Sequence, residues 1–82
     1  MSRDEVMRIL GDVFKMEFND EDSIILDETT SDDIEEWDSV ENIYLIDAIE
    51  ERFGITLQIE ETSKLNNVGE LVDMIYEIVS GE

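Results

Sequence analysis

Apolar residues recur three times along this chain at the spacing of one face of an α-helix. Val6, Ile9, Leu10, Val13 and Phe14 fall at i, i+3, i+4, i+7 and i+8, which predicts a helix running to Met16 or Glu17. Ser2 opens it as a capping box with Glu5, each side chain reaching an orphan backbone N–H. Gly11 sits inside this helix and costs about 1 kcal/mol relative to Ala. A second stripe, Asn42, Leu45, Ile46, Ile49 and Phe53, follows Asp38, which caps it with Glu41 as its capping-box partner. Gly54 supplies the stop. A third stripe, Val68, Leu71, Val72, Ile75 and Val79, follows Asn67 and Glu70, and Gly81 lies just past it. Three amphipathic helices need one another to bury their stripes.

The segments between them are less regular. Ile55, Leu57 and Ile59 alternate with Thr56 and Gln58 as in a strand. No other segment offers a partner strand, so a packed connector is expected, followed by a short helix over roughly Glu60 to Leu65. The long stretch from Phe18 to Asp38 is rich in Asp, Glu, Ser and Thr but keeps Ile24, Ile25, Leu26, Ile34 and Trp37. A structureless loop of that length is uncommon in a compact domain. Its scattered apolar residues predict a loop pinned across the core, with a helical turn around Ser31 to Glu36. The expected fold is all-α: a small bundle of three main helices plus one short helix, with a long first loop. Residues 1–82 read as a single domain, with no repeat or linker.

Charge is the main objection to folding. The 82 residues carry 24 acidic against 5 basic side chains, a net charge of −19. Disordered chains combine such charge with few apolar residues. Here Leu, Ile, Val and Phe supply 26 positions, close to a third and above the roughly 20% floor of disordered chains.

Composition also removes chemistries. Cys and His are absent, which excludes disulfides, thiolate metal sites, a cysteine nucleophile and the usual base of a serine triad. No apolar run is long enough to span a membrane. Met1-Ser2-Arg3-Asp4-Glu5 does not begin a secretory signal, so a cytoplasmic monomer with no membrane insertion is expected. Nucleic acid is excluded as a partner because its phosphates would be repelled. The interval between Lys15 and Arg52 holds fifteen acids and no basic residue. Such a surface is either plain solvated charge or a means of steering basic partners.

Asp38-Ser39 at the head of the second helix is the candidate site. As a dipeptide it is only a helix cap. Functionally, it places the Ser39 hydroxyl where free backbone N–H groups and the positive end of the helix dipole would receive a phosphate. Asp38 beside it could help bind the divalent metal that phosphoryl-transfer enzymes bring with their substrate.

The surrounding residues are more specific. Glu36-Trp37-Asp38-Ser39-Val40-Glu41-Asn42 runs into Leu45-Ile46-Asp47-Ala48-Ile49-Glu50-Glu51-Arg52-Phe53-Gly54-Ile55. This resembles the acyl carrier protein family, in which Asp-Ser-Leu starts helix two and an acidic helix ends in a Glu-Glu-x-Phe-Gly-Ile-like turn. Lys64-Leu65-Asn66-Asn67-Val68-Gly69-Glu70-Leu71-Val72 resembles the family's junction into the last helix. Val40 stands for the usual Leu, Asn66-Asn67 for a Thr or Ser pair, and Gln58 lies near a frequent Pro.

The resemblance implies a non-catalytic carrier. A phosphopantetheinyl transferase would attach 4′-phosphopantetheine from coenzyme A to Ser39, with Asp38 assisting. The arm's thiol would hold an acyl or aminoacyl group as a thioester, loaded by a ligase or acyltransferase and consumed by a downstream synthase or transferase. Such a protein needs no Cys or His of its own, because the cofactor brings the thiol. Glu41, Asp47, Glu50 and Glu51 would form the docking face, with Val40 as the apolar contact beside the arm. Carriers of fatty-acid synthesis usually place an acid near Tyr44 and an apolar residue near Asp47. This chain reverses that pair, which with Trp37 implies a free-standing carrier of a specialised pathway.

Other readings are a peptidyl or aminoacyl carrier, and an acidic inhibitor that occupies a basic cleft without any prosthetic group. A calcium loop at Asn19-Asp20-Glu21-Asp22-Ser23 fails on spacing. Counted from Asp20, its sixth position is Ile25 rather than Gly and its twelfth is Ser31 rather than Glu.

Overall fold

The protein is described by a computed structural model covering residues 1–19, 24–34 and 37–81. Four helices follow in order: α1 (Arg3–Glu17), α2 (Ser39–Phe53), α3 (Ile59–Thr62) and α4 (Val68–Ser80). There is no strand among the described residues. The alternating segment at Ile55 and Leu57 is a connector that buries both side chains.

The caps form as the sequence dictates, with two adjustments. At α1 the box is complete: Glu5 N–H donates to Ser2 Oγ at 3.2 Å and Ser2 N–H to Glu5 Oε1 at 3.3 Å. At α2 only half of the expected box is present, Glu41 N–H donating to Asp38 Oδ1 at 2.8 Å. The Glu41 side chain lies against Glu17 instead. At α4, Glu70 N–H donates to Asn67 Oδ1 at 2.9 Å, while the Glu70 carboxylate accepts from Asn66 N–H at 2.6 Å, one residue earlier than a standard box. Gly54 ends α2 at φ 67°, the left-handed region in which a side chain is strained.

Packing follows the three stripes. α1 lies against both α2 and α4, and Leu10, Phe14, Leu45, Ile49, Val68, Val72 and Ile75 are fully buried between them. Burying each such side chain contributes about 1.5–3 kcal/mol. Trp37 closes one end of this core. Its ring meets Phe14 edge-on at 5.2 Å between centroids and Phe18 at 6.3 Å.

The described part of the first loop is pinned by only some of its apolar residues: Ile34 and Trp37 pack partly buried against the core, whereas Ile24 and Leu26 are exposed. Ile25 is buried, Val68 N–H donates to Thr29 O at 2.8 Å, and Gly69 N–H donates to Asp27 O at 2.9 Å. These bonds satisfy two orphan donors at the start of α4. A Cβ at residue 69 would lie 3.0 Å from Asp27 O, so glycine permits the close approach. Arg3 adds a clamp, donating to Asp73 at 2.6 Å and to Asp27 and Gly69 O at 3.3 Å.

Two expectations need correction. The short helix is α3, four residues that begin and end earlier than Glu60 to Leu65, because Thr62 and Ser63 hydroxyls bond to the Ile59 and Glu60 carbonyls and close the turn. The turn expected around Ser31 to Glu36 is non-helical over Ser31 to Ile34, tied by Asp33 N–H to Thr30 O at 3.0 Å; residues 35 and 36 lie outside the described residues. So do residues 20–23 of the rejected calcium loop.

Candidate functional site

The start of α2 is where local structure and chemistry meet. Asp38 is extended and caps the helix, so Ser39 occupies its first turn with an exposed side chain. Asp38 satisfies the N–H of Glu41 with its carboxylate and that of Asn42 with its carbonyl, at 2.8 and 2.9 Å. Among the described residues, the backbone N–H groups of Ser39 and Val40 and the Ser39 hydroxyl make no hydrogen bond. A hydroxyl oxygen thus stands beside two N–H groups that have no partner among the described residues, at the positive end of a fifteen-residue helix, an arrangement that suits an anion attached to the hydroxyl.

Trp37 and Asn42 hold this corner in place. The indole N–H of Trp37 donates to Asn42 Oδ1 at 2.9 Å, bridging over the Asp38–Ser39 pair. Asn42 is the lone polar residue of the helix stripe, and that departure is the signal for such a bond.

One face of α2 leads away from Ser39. Val40 is 61% exposed, Ile43 51% and Tyr44 58%, and Asp47 and Glu51 are exposed further along. Residues four and three apart share a helix face, so Val40, Tyr44 and Asp47 form one strip. Ile43 belongs to this apolar patch and was missed, although its place three residues after Val40 marked it. Glu50 differs from its neighbours: it is half-buried and its carboxylate accepts from Leu57 N–H at 2.7 Å. That carboxylate fastens the connector after α2.

Glu41 is half-buried near the end of α1. The Glu17 carboxyl is pushed above the ordinary carboxylate range, first by burial, then by the charge of Glu41 and its hydrogen bond to it, and last by the charge of Asp47. These acids repel one another at the junction of α1 and α2. No group of acids among the described residues is arranged to hold a metal ion.

On its other side Ser39 borders a groove of about 310 Å³ between the first loop, α2, α3 and the start of α4. Ile46, Leu65 and Leu71 supply its apolar lining, and Asn42, Asn66 and Asn67 are among its polar residues.

Comparison with known proteins agrees with this arrangement. The acyl carrier protein of Petrotoga mobilis is 35% identical over 81 residues, a match spanning 94% of this chain and 91% of that protein. The chain belongs to the acyl carrier protein family. The solution structure of the holo acyl carrier protein from Geobacter metallireducens superposes with a TM-score of 0.85 at 31% identity, over 92% of this chain and 86% of that one. No family model matches. Acyl carrier proteins are non-catalytic and work through partner enzymes such as synthases and transferases. Among the described residues, no helix of this carrier is long and apolar enough to cross a membrane.

Proposed function

We propose that Ser39 is the attachment site of a 4′-phosphopantetheine arm and that the chain delivers acyl groups on it as a cytoplasmic, monomeric, single-domain carrier. The observation that carries this reading is the exposed Ser39 hydroxyl beside the N–H groups of Ser39 and Val40, which have no partner among the described residues. The holo state of the Geobacter relative supports it. The chain has no His or Cys, and in this reading the transferase accepts the Ser39 proton. Ser39 Oγ then forms the new bond to phosphorus as the nucleotide half of coenzyme A leaves. The helix end and its N–H groups would stabilise the phosphodiester that results, and Asp38, which caps the helix start, would help hold the divalent metal that the transferase brings with its substrate. When bound, the arm supplies the thiol on which the cargo rides.

The exposed strip of α2 is the docking face. Val40, Ile43 and Tyr44 offer apolar contact, while Glu41, Asp47 and Glu51 offer charge to basic surfaces of a phosphopantetheinyl transferase, a loading ligase or acyltransferase, and a downstream synthase or transferase. Glu50 contributes with less freedom, since it also secures Leu57. Tyr44 and Asp47, reversed relative to carriers of fatty-acid synthesis, support the reading that the chain serves a specialised pathway. The test is mass analysis after incubation with a transferase and coenzyme A. Unmodified Ser39→Ala with an intact helical spectrum is the expected result, and modification of that variant at another serine would overturn the assignment.

A further inference from the structure

We propose that the groove beside Ser39 binds the oxygen atoms of a short oxygenated acyl group through the side-chain amides of Asn42 and Asn67. This inference rests on the carrier reading of Ser39 and adds the class of cargo.

The orientation of both amides is fixed by chemistry. Asn42 accepts from the indole N–H of Trp37, which can only donate, so its oxygen faces the ring and its N–H₂ points elsewhere. Asn67 accepts from the backbone N–H of Glu70 as the cap of α4, which fixes it in the same way. Both residues are half-buried and line the groove. Among the described residues, neither N–H₂ group donates a hydrogen bond. The hydroxyls of Thr62 and Ser63, across the groove at the end of α3, already give their protons to the Ile59 and Glu60 carbonyls. The half-buried amides of Asn42 on α2 and Asn67 at the cap of α4 are therefore unspent donors, as are the exposed Asn66 amide and Ser31 hydroxyl at the groove's rim, above an apolar floor that includes Ile46 and Leu71.

A purely hydrocarbon chain entering this groove would strip water from both amides and return no acceptor, a loss the apolar floor must offset. An acyl chain with a carbonyl oxygen keeps the apolar contact and pairs the donors. The groove is also small, so a short chain fits its volume of about 310 Å³. The carrier thereby distinguishes cargoes by an oxygen atom as well as by length.

The matched pair for the test is acetoacetyl- and butanoyl-coenzyme A, which differ at one carbonyl. Each is offered to the apo protein with a transferase, and the mass gain is confirmed before anything else is read. The side-chain ¹H–¹⁵N signals of Asn42 and Asn67 should shift in the acetoacetyl form and stay near their holo positions in the butanoyl form. Fluorescence of Trp37, the single tryptophan, should differ between the two forms. The double variant Asn42→Asp, Asn67→Asp keeps both acceptor oxygens for Trp37 and Glu70 but has no amide donors, and in it the fluorescence difference should vanish. Identical amide shifts in the two loaded forms would overturn the proposal. So would equal shifts on conversion of apo to holo protein alone, which would give the donors to the arm, or a fluorescence difference that survives the double variant. Absence of any mass gain would overturn the carrier reading itself.

Discussion

Trp37 and Asn42 are joined by a 2.9 Å hydrogen bond that spans Asp38 and Ser39, the two residues of the proposed attachment site. The same indole packs edge-on against Phe14 of α1. One side chain therefore sets the start of α2 relative to the hydrophobic core, and the exposed serine inherits its position from a partly buried ring.

Trp37→Phe keeps an aromatic ring against Phe14 and removes the donor. Leaving the half-buried Asn42 oxygen unpaired should cost about 1 kcal/mol, or about 4–8 °C in melting temperature for a domain of this size. Trp37→Ala also loses the packing and should cost up to about 3 kcal/mol. Circular dichroism melts check both, and a Trp37→Phe variant that melts like the parent would show that the bond contributes nothing.

Glu17 gives the fold a pH dependence of known sign. Its carboxyl pKa is raised in the folded protein above the unfolded value of 4.5, chiefly by burial and by Glu41. Over the interval from 4.5 to that raised value, the folded state keeps a proton that the unfolded state has lost. Stability falls as pH rises through this window and stays lower at neutral pH. Glu17→Gln should therefore melt higher than the parent at pH 7, with a difference that shrinks as pH falls toward 4.5. A constant difference across that range would place the effect outside the titration of Glu17.

Repulsion among the fifteen acids between Lys15 and Arg52 should also respond to salt, which screens exposed charges within about 8–10 Å at physiological ionic strength. Melting temperature should rise with NaCl, and at lower concentrations with magnesium or calcium. Indifference to both would mean that these charges stand too far apart to matter.

The three main helices were legible in the sequence because each carries an apolar stripe and a polar cap, and both signals are local. Ser2, Asp38 and Asn67 all cap where their side-chain chemistry places them. What could not be read depends on long-range contacts. The second half of the α2 cap is absent, and Glu41 instead lies close enough to Glu17, twenty-four residues away in sequence, for its charge to raise that carboxyl's pKa. The bond from Glu50 to Leu57 requires the turn at Gly54 to fold the connector back. Ser39 was found through its motif, whereas the groove beside it is assembled from the first loop, α3 and α4, which share no sequence pattern.

Docking should depend on a defined face. If Glu41 and Asp47 steer basic partners, charge reversal at either should slow modification by a transferase more than reversal at Asp4 or Glu77, which lie on other helices. The association rate of the parent should fall steeply with added salt. Equal effects at all four positions would make net charge alone the cause.

The last prediction concerns the pathway. Val40, Tyr44 and Asp47 lie along one exposed strip that begins beside Ser39. A partner enzyme shaped for carriers of fatty-acid synthesis expects charge near Tyr44 and apolar surface near Asp47. On this chain it meets a ring that is 58% exposed at the first position and a carboxylate at the second. Placing that carboxylate against a partly desolvated apolar contact costs a few kcal/mol, and each 1.4 kcal/mol lowers affinity about tenfold. A ketosynthase of fatty-acid synthesis should therefore elongate a short acyl chain on this carrier at least about tenfold more slowly than on a housekeeping carrier. The double variant Tyr44→Glu, Asp47→Met should recover most of that rate, because it restores both contacts without touching the core residues Leu45, Ile46 or Ile49. Single-turnover elongation assays with matched acyl loads measure the difference directly. Comparable rates for the parent and the housekeeping carrier would remove the argument for a dedicated pathway, since the strip would then be read without regard to its charge order.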